Sequence, residues 1–185
     1  MPNEVLRKSG DCFLFADSTY APALAANVLA TAYTRVQHDF AGLANAASRQ
    51  STKADLGARR APAFNVYAAI EFGTAPTAGS ALEFYWAPSL SATAGTGNMG
   101  NTSGADGAYT SLAGGTDDAG VKRIQFIGQM SCEAVGSLVH LGYIGTFSPT
   151  TRYGSLIIKN ECGQTLSSTK TSQGVLFEPV IDEVQ

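Results

Sequence analysis

Charge is scarce in this chain. Lys, Arg, Asp and Glu together make up 15% of its 185 residues, with a formal net charge of −3, where about a quarter is usual for a globular domain. Basic pairs such as Arg59–Arg60 and Lys122–Arg123 are isolated and read as solvated strand ends. A face that displaces counterions from nucleic acid needs clustered Lys and Arg, so a nucleic-acid partner is not expected. No apolar run approaches the ~20 residues of a membrane-spanning helix. The opening stretch MPNEVLRKSGDCFLFADS contains no apolar core of signal-peptide length. These absences lead to the expectation of a protein made and matured in a reducing cytoplasm, without a membrane partner. Cysteine is sparse as well. Cys12, Cys132 and Cys162 are odd in number, far apart and form no CxxC pair. A metal site or a disulfide framework has little support, and structural thiols are expected.

Large side chains are missing from one long stretch. Ala87 to Gly120 contains eight glycines, many Ala, Ser and Thr, and only Leu90, Met99, Tyr109 and Leu112 as bulky groups. Loops of this length inside a domain are uncommon and tend to be functional or disordered. With almost no charge, this one suits a contact or display loop better than a catalytic lid.

What is present around it is β-patterned. Ala63 to Gly73 alternates Phe64, Val66, Ala68, Ile70 and Phe72 on one face, the period of a half-buried strand. Ser80 to Pro88 places Leu82, Phe84 and Trp86 on one face and Glu83 and Tyr85 on the other, and with the turn at 74–79 these two runs predict a hairpin. Further strands are read at Val121 to Cys132, Ser137 to Phe147, Arg152 to Cys162 and Gly174 to Gln185, with a more polar outer strand at Ala46 to Gly57. Short strands at even spacing, punctuated by Gly and Pro, predict an all-β fold, an antiparallel β-sandwich that is jelly-roll-like, over residues 46–185. Residues 1–45 read as an N-terminal arm. Within it Leu24, Val28, Ala32 and Val36 stand at helical spacing, which predicts a short helix over 21–37 capped by Asp17 or Ser18.

The candidate chemical motifs do not assemble. Gly95-Thr96-Gly97-Asn98-Met99-Gly100 matches GxGxxG, but the motif requires a strand entering and a helix leaving, and more glycine follows. Asp106, Asp117 and Asp118 lack calcium-loop spacing and read as turn formers. His38 could be oriented by Asp39, yet no nucleophile context accompanies it. His140 sits within a strand, on the face opposite Val139 and Leu141. Glu71 and Glu83 would form a glycosidase-type pair only if the hairpin register aligned them. No catalytic residue, cofactor or metal is expected.

Three stretches carry a resemblance: ADLGARRAPAFNVYAAIEFG, PTAGSALEFYWAPSLSATAGTGNMGNTSGADGAYT, and GTFSPTTRYGSLIIKNECGQ with the closing EPVIDEVQ. Together, from about Arg49 to Gln185, they resemble virion structural proteins of tailed bacteriophages. The resemblance implies a non-enzymatic capsid decoration or cement protein on the capsid surface, with the major capsid protein as partner and self-association as a homotrimer or homodimer. The residues placed at such contacts are Met99, Asn101, Asp106, Tyr109 and Leu112 in the loop, and Arg152 and Tyr153 before the LIIKN strand. A tail, baseplate or connector component of the same virion is the alternative. A carbohydrate-binding module is a second one, and would need an exposed aromatic platform, for which Tyr85, Trp86 and Tyr109 are the nearby candidates.

Overall fold

The computed structural model describes residues 11–58, 60–111 and 117–180. Leu112, one of the expected contact residues, lies outside them, as does Arg59. The described chain forms β1 (Phe13–Ala16), β2 (Thr34–Gln37), β3 (Ser48–Gln50), β4 (Ala54–Asp55), β5 (Ala63–Glu71), β6 (Ala81–Ser89), β7 (Gly107–Ala108), β8 (Gln125–Ser131), β9 (Val139–Phe147), β10 (Tyr153–Glu161) and β11 (Gly174–Val180). One sheet has the order β2-β1-β11-β5-β9 and the other β7-β3-β10-β6-β8, with β4 also pairing β10. Stripped of the short strands β2, β4 and β7, successive strands mostly alternate between sheets as β1-β11-β5-β9 over β3-β10-β6-β8. That is the order of a jelly roll. The pairings are antiparallel apart from β1 with β2.

The core follows from period-two alternation on facing strands. Phe13, Phe15, Phe64, Val66, Ile70 and Phe177 of the first sheet meet Leu82, Phe84, Trp86, Leu156 and Ile158 of the second. At its centre Phe15, Trp86, Phe147 and Phe177 form a ring cluster, with Phe15–Phe177 centroids at 4.6 Å and Phe147–Phe177 at 5.0 Å. Edge-on and tilted aromatic pairs of this kind add about 0.5–1.5 kcal/mol each beyond their buried area.

Three expectations are corrected here. Residues 13–16 are an inner strand whose Phe15 is fully buried, so at least this part of the expected arm belongs to the sandwich. The helix expected over 21–37 is replaced by a single 3-10 turn at Ala25–Asn27 and by β2. The i, i+4 apolar spacing arises in an Ala-rich strap, and without a well-defined apolar stripe tertiary packing overrides helix propensity. Finally, β5 and β6 are not a hairpin. They lie in different sheets, so residues 72–80 cross from one sheet to the other.

The cysteines also depart from expectation. Cys132 and Cys162 form a disulfide across a sequence separation of 30, leaving Cys12 as the free thiol. The pair follows directly on β8 and β10, which flank β6 in one sheet, so strands distant in sequence finish side by side. Both cysteines are buried, and their carbonyls accept from the crossing turn, Thr77 N–H to Cys162 O at 3.0 Å and Gly79 N–H to Cys132 O at 3.1 Å.

The open side of the sandwich is closed by two facing bulges. Ile127 in β8 and Ile144 in β9 are extra residues in their ladders, and both turn into the core. A Cβ at Gly128 would collide with the Ile144 carbonyl oxygen, so glycine is what lets the two strands approach there. Bulges of this type twist an edge away from strand addition.

Candidate functional site

Each sheet's outer face is treated differently by the chain. On the second sheet, Tyr85, Ala87 and Ile157 point away from the core, and the Gly-rich stretch folds over them. Tyr109 is the keystone of this roof. It is 1% exposed, packs with Tyr85, Val121 and Ile157, and donates its hydroxyl to Gly100 O at 2.6 Å. A Cβ at Gly120 would collide with that hydroxyl. Lys53 clips the roof from the side: its Nζ donates to the carbonyls of Ser91 at 2.9 Å, Thr93 at 2.5 Å and Thr96 at 2.9 Å. Asn98 Nδ2 bridges Ala94 O and Thr102 O at 2.7 and 2.8 Å. The described part of the loop is therefore secured by the chain's own bonds.

Asp106 ties the roof to the N-terminal third. Its carboxylate accepts from Arg49 Nε at 3.2 Å, Gln37 Nε2 at 3.2 Å and the Asp39 N–H at 3.1 Å. Gln37 also donates to Asp17 at 3.0 Å, and Lys170 to Asp39 at 2.5 Å. The Thr19 hydroxyl beside Asp17, with further hydrogen bonds, holds that carboxyl far below the usual carboxylate range. Under this knot His38 is fully buried, edge-on to Phe40 at 5.1 Å between ring centroids. Neither ring nitrogen has a hydrogen bond of normal geometry. Burial pushes its pKa down to about 4, opposed by Asp106, the Arg49 backbone and Asp39 and reinforced by the Arg49 charge.

The sequence-selected contact residues thus separate. Met99 and Asn101 stand exposed on the roof, and Leu90 and Phe126 are exposed on the same sheet's side. Tyr109 and Asp106 are structural, one as core of the roof and the other as its fastening. Arg152 makes a two-point pair with Asp55, both contacts at 2.6 Å, and lies 4.9 Å over the Tyr153 ring, so these two brace β4 against β10 while remaining at the surface. The aromatic candidates for sugar stacking fail together: Trp86 and Tyr109 are buried, and Tyr85 is covered by the roof. Glu71 and Glu83 are on different sheets, Glu71 accepting from Ser167 and Ser172 and Glu83 from Tyr85. His140 donates through Nε2 to Val135 O at 2.8 Å and packs edge-on to Phe72. Among the described residues no group of His, Cys, Asp or Glu is placed to hold a metal ion.

Among the described residues, the first sheet is covered over only half its width. The strap after β1 lays Tyr20, Leu29 and Ala30 over Leu14, Ala16 and Leu176. Beyond it, on β5 and β9, Tyr67, Leu141 and Tyr143 are left facing a groove of about 450 Å³ walled by Val28 and Leu29. Leu141 is 51% and Tyr143 58% exposed. Sequence reasoning did not single out this groove. The available signal was SLVHLGYIGTF, which is apolar on both faces and therefore needs either a cover or a ligand on its outer side.

Comparison with protein-family models, curated proteins and solved structures gave no significant match.

Proposed function

We propose that this protein is a non-enzymatic structural component of a tailed-phage particle, a decoration protein that binds the outside of the capsid shell through the roofed face of its second sheet. The observation that carries the reading is the rigid roof. A glycine-rich stretch fixed by Lys53, Asn98 and Tyr109 presents Leu90, Met99, Asn101 and Phe126 at the surface in a preset arrangement. Preorganised contact groups avoid the ordering cost of association, and many weak copies on a symmetric shell gain by multivalency. The major capsid protein is the partner, and closed self-association as a trimer or dimer would match repeated shell positions.

Quantitative mass spectrometry of purified particles tests the role. Many copies in fixed ratio to the major capsid protein are expected, and six or twelve copies would instead place the protein in the tail, baseplate or connector. Met99→Asp with Phe126→Asp should strip the protein from shells while leaving its melting temperature within a few degrees. Full occupancy by that double variant would refute the roof as the contact face.

A further inference from the structure

We infer that the groove on the uncovered half of the first sheet is a saccharide-binding site for an uncharged pyranose oligosaccharide. The face is laid out in register. One row across the strands runs Leu14, Leu176, Tyr67 and Tyr143, and the strap covers its first two members. The next row on the same face runs Glu178, Asn65 and Thr146. The open surface therefore places two phenol rings directly beside a carboxylate, an amide and a hydroxyl. The Tyr67 and Tyr143 centroids are 5.5 Å apart with planes inclined by 54°, giving a stepped aromatic surface.

Sugars need both halves of this arrangement. The C–H face of a pyranose carries the slight positive charge that the negative face of an aromatic ring attracts, while its rim of hydroxyls needs donors and acceptors. Glu178 is exposed and lines the groove. The Thr146 hydroxyl, which is paired with the Tyr143 hydroxyl at 2.7 Å, donates to Asn65 Oδ1 at 2.6 Å. The Asn65 amide N–H groups make no hydrogen bond among the described residues and are free to donate to ring or hydroxyl oxygens. A tyrosine pair loses little rotamer entropy on binding, and the volume lies within the ~300–1,000 Å³ range of small-ligand sites.

Energetics decide against an apolar protein segment as occupant. Covering the groove with aliphatic side chains would strip water from the Glu178 carboxylate, whose charge has only the Tyr67 hydroxyl to turn to on this face. It would also leave the Asn65 amide N–H groups desolvated and unpaired, which is unfavourable. Sugar hydroxyls replace both lost water contacts. The same carboxylate repels uronic and sialic acids, hence the restriction to uncharged sugars.

The test uses the full chain. Affinity electrophoresis in gels cast with dextran, xylan or soluble starch, with alginate as the anionic comparison, is combined with calorimetric titration of chitotriose. Retardation or heat with at least one uncharged probe is expected, and none with alginate. Tyr143→Ala and Asn65→Ala should each weaken that binding more than tenfold, Tyr143→Phe should retain most of it, and unchanged melting temperatures would show that these surface variants fold. Failure of every uncharged probe to bind below ~10 mM would overturn the assignment, as would affinity indifferent to Tyr143→Ala. Concentration-dependent self-association abolished by Tyr143→Ala would also overturn it, giving the groove to a second copy of the chain. Because the roof lies on the opposite sheet, Tyr143→Ala leaves shell attachment intact, so failure here and failure of the capsid role are separate results.

Discussion

Replacing His38 by phenylalanine should flatten the acid limb of this protein's stability curve. The imidazole is fully buried, its nitrogens lack well-formed hydrogen bonds, and its folded pKa is about 4 against an ordinary 6.5. The unfolded chain therefore binds a proton that the folded chain refuses between those two values. Stability from this source is complete above 6.5, declines as the pH falls, and is fully lost once the pH has dropped through about 4. The difference of about 2.5 pKa units corresponds to about 3 kcal/mol at 1.36 kcal/mol per unit. Most of it, about 2 to 3 kcal/mol, is gone near pH 4.5.

Urea unfolding from pH 7.5 down to 4.5 measures this directly. At an m-value of about 2–3 kcal/mol/M the wild-type midpoint should fall by roughly 1 M across that range. Phenylalanine keeps the edge-on packing with Phe40 but cannot titrate, so its midpoint should fall much less. Asp17 does not confuse the window. Its folded pKa is depressed from 3.8, so the stability it supplies is present above that value and is lost only below it. A variant with the same pH slope as wild type between 6.5 and 4.5 would refute the account.

Two further outcomes follow from the roof and the disulfide. Lys53→Met removes three hydrogen bonds to loop carbonyls, each worth about 1 kcal/mol at most this close to solvent and offset by lysine rotamer entropy. A net loss of about 1–2 kcal/mol should speed native-state hydrogen exchange at the Leu90 amide, bonded to Gly97 O, by roughly 5–30-fold, with strand amides unchanged; unaltered roof exchange would refute the clip. Titrating thiols under denaturing conditions without reductant should find one free thiol, Cys12, and changing Cys132 and Cys162 together to alanine should cost about 3.5 kcal/mol for a closed loop of this length. Three free thiols, or equal midpoints with and without the pair, would contradict it.

The jelly roll was largely legible in the sequence because its central strands declare themselves. Phe64, Val66, Ala68 and Ile70 alternate cleanly, as do Leu82, Phe84 and Trp86, and all seven are fully buried. Partnership was not legible. A run such as Ser80 to Pro88 has the same pattern whether it pairs with the preceding strand or crosses to the other sheet, and the turn at 74–79 suits both. β1 was hidden by brevity, since FLFA is continuous apolar sequence whose outward residues are covered by the strap. The exposed surface of the roof was partly visible. Met99 and Asn101 stand out as isolated features of a bland loop, but the same blandness concealed that Tyr109 and Asp106 are spent inside the molecule.

The two outer faces explain why glycine and alanine concentrate where they do. A jelly-roll strand such as β10 is apolar outward as well as inward, because Ile157 stands between the core residues Leu156 and Ile158. Such a sheet requires a cover, and a cover made from a single strand-to-strand excursion must pass close over side chains as large as Tyr85. Small residues permit that approach, and Tyr109 and Lys53 supply the anchors that small residues cannot. On the other sheet the Ala-rich strap reaches only across β1 and β11. Extending it over β5 and β9 would take a longer excursion, and the chain has instead placed Asn65, Thr146 and Glu178 beside the tyrosines left open. Polar groups set against an uncovered aromatic row keep that face hydrated when empty, and they give it directed hydrogen bonds when a ligand is present. An uncovered half made only of Leu and Val would have neither property and would drive self-association instead.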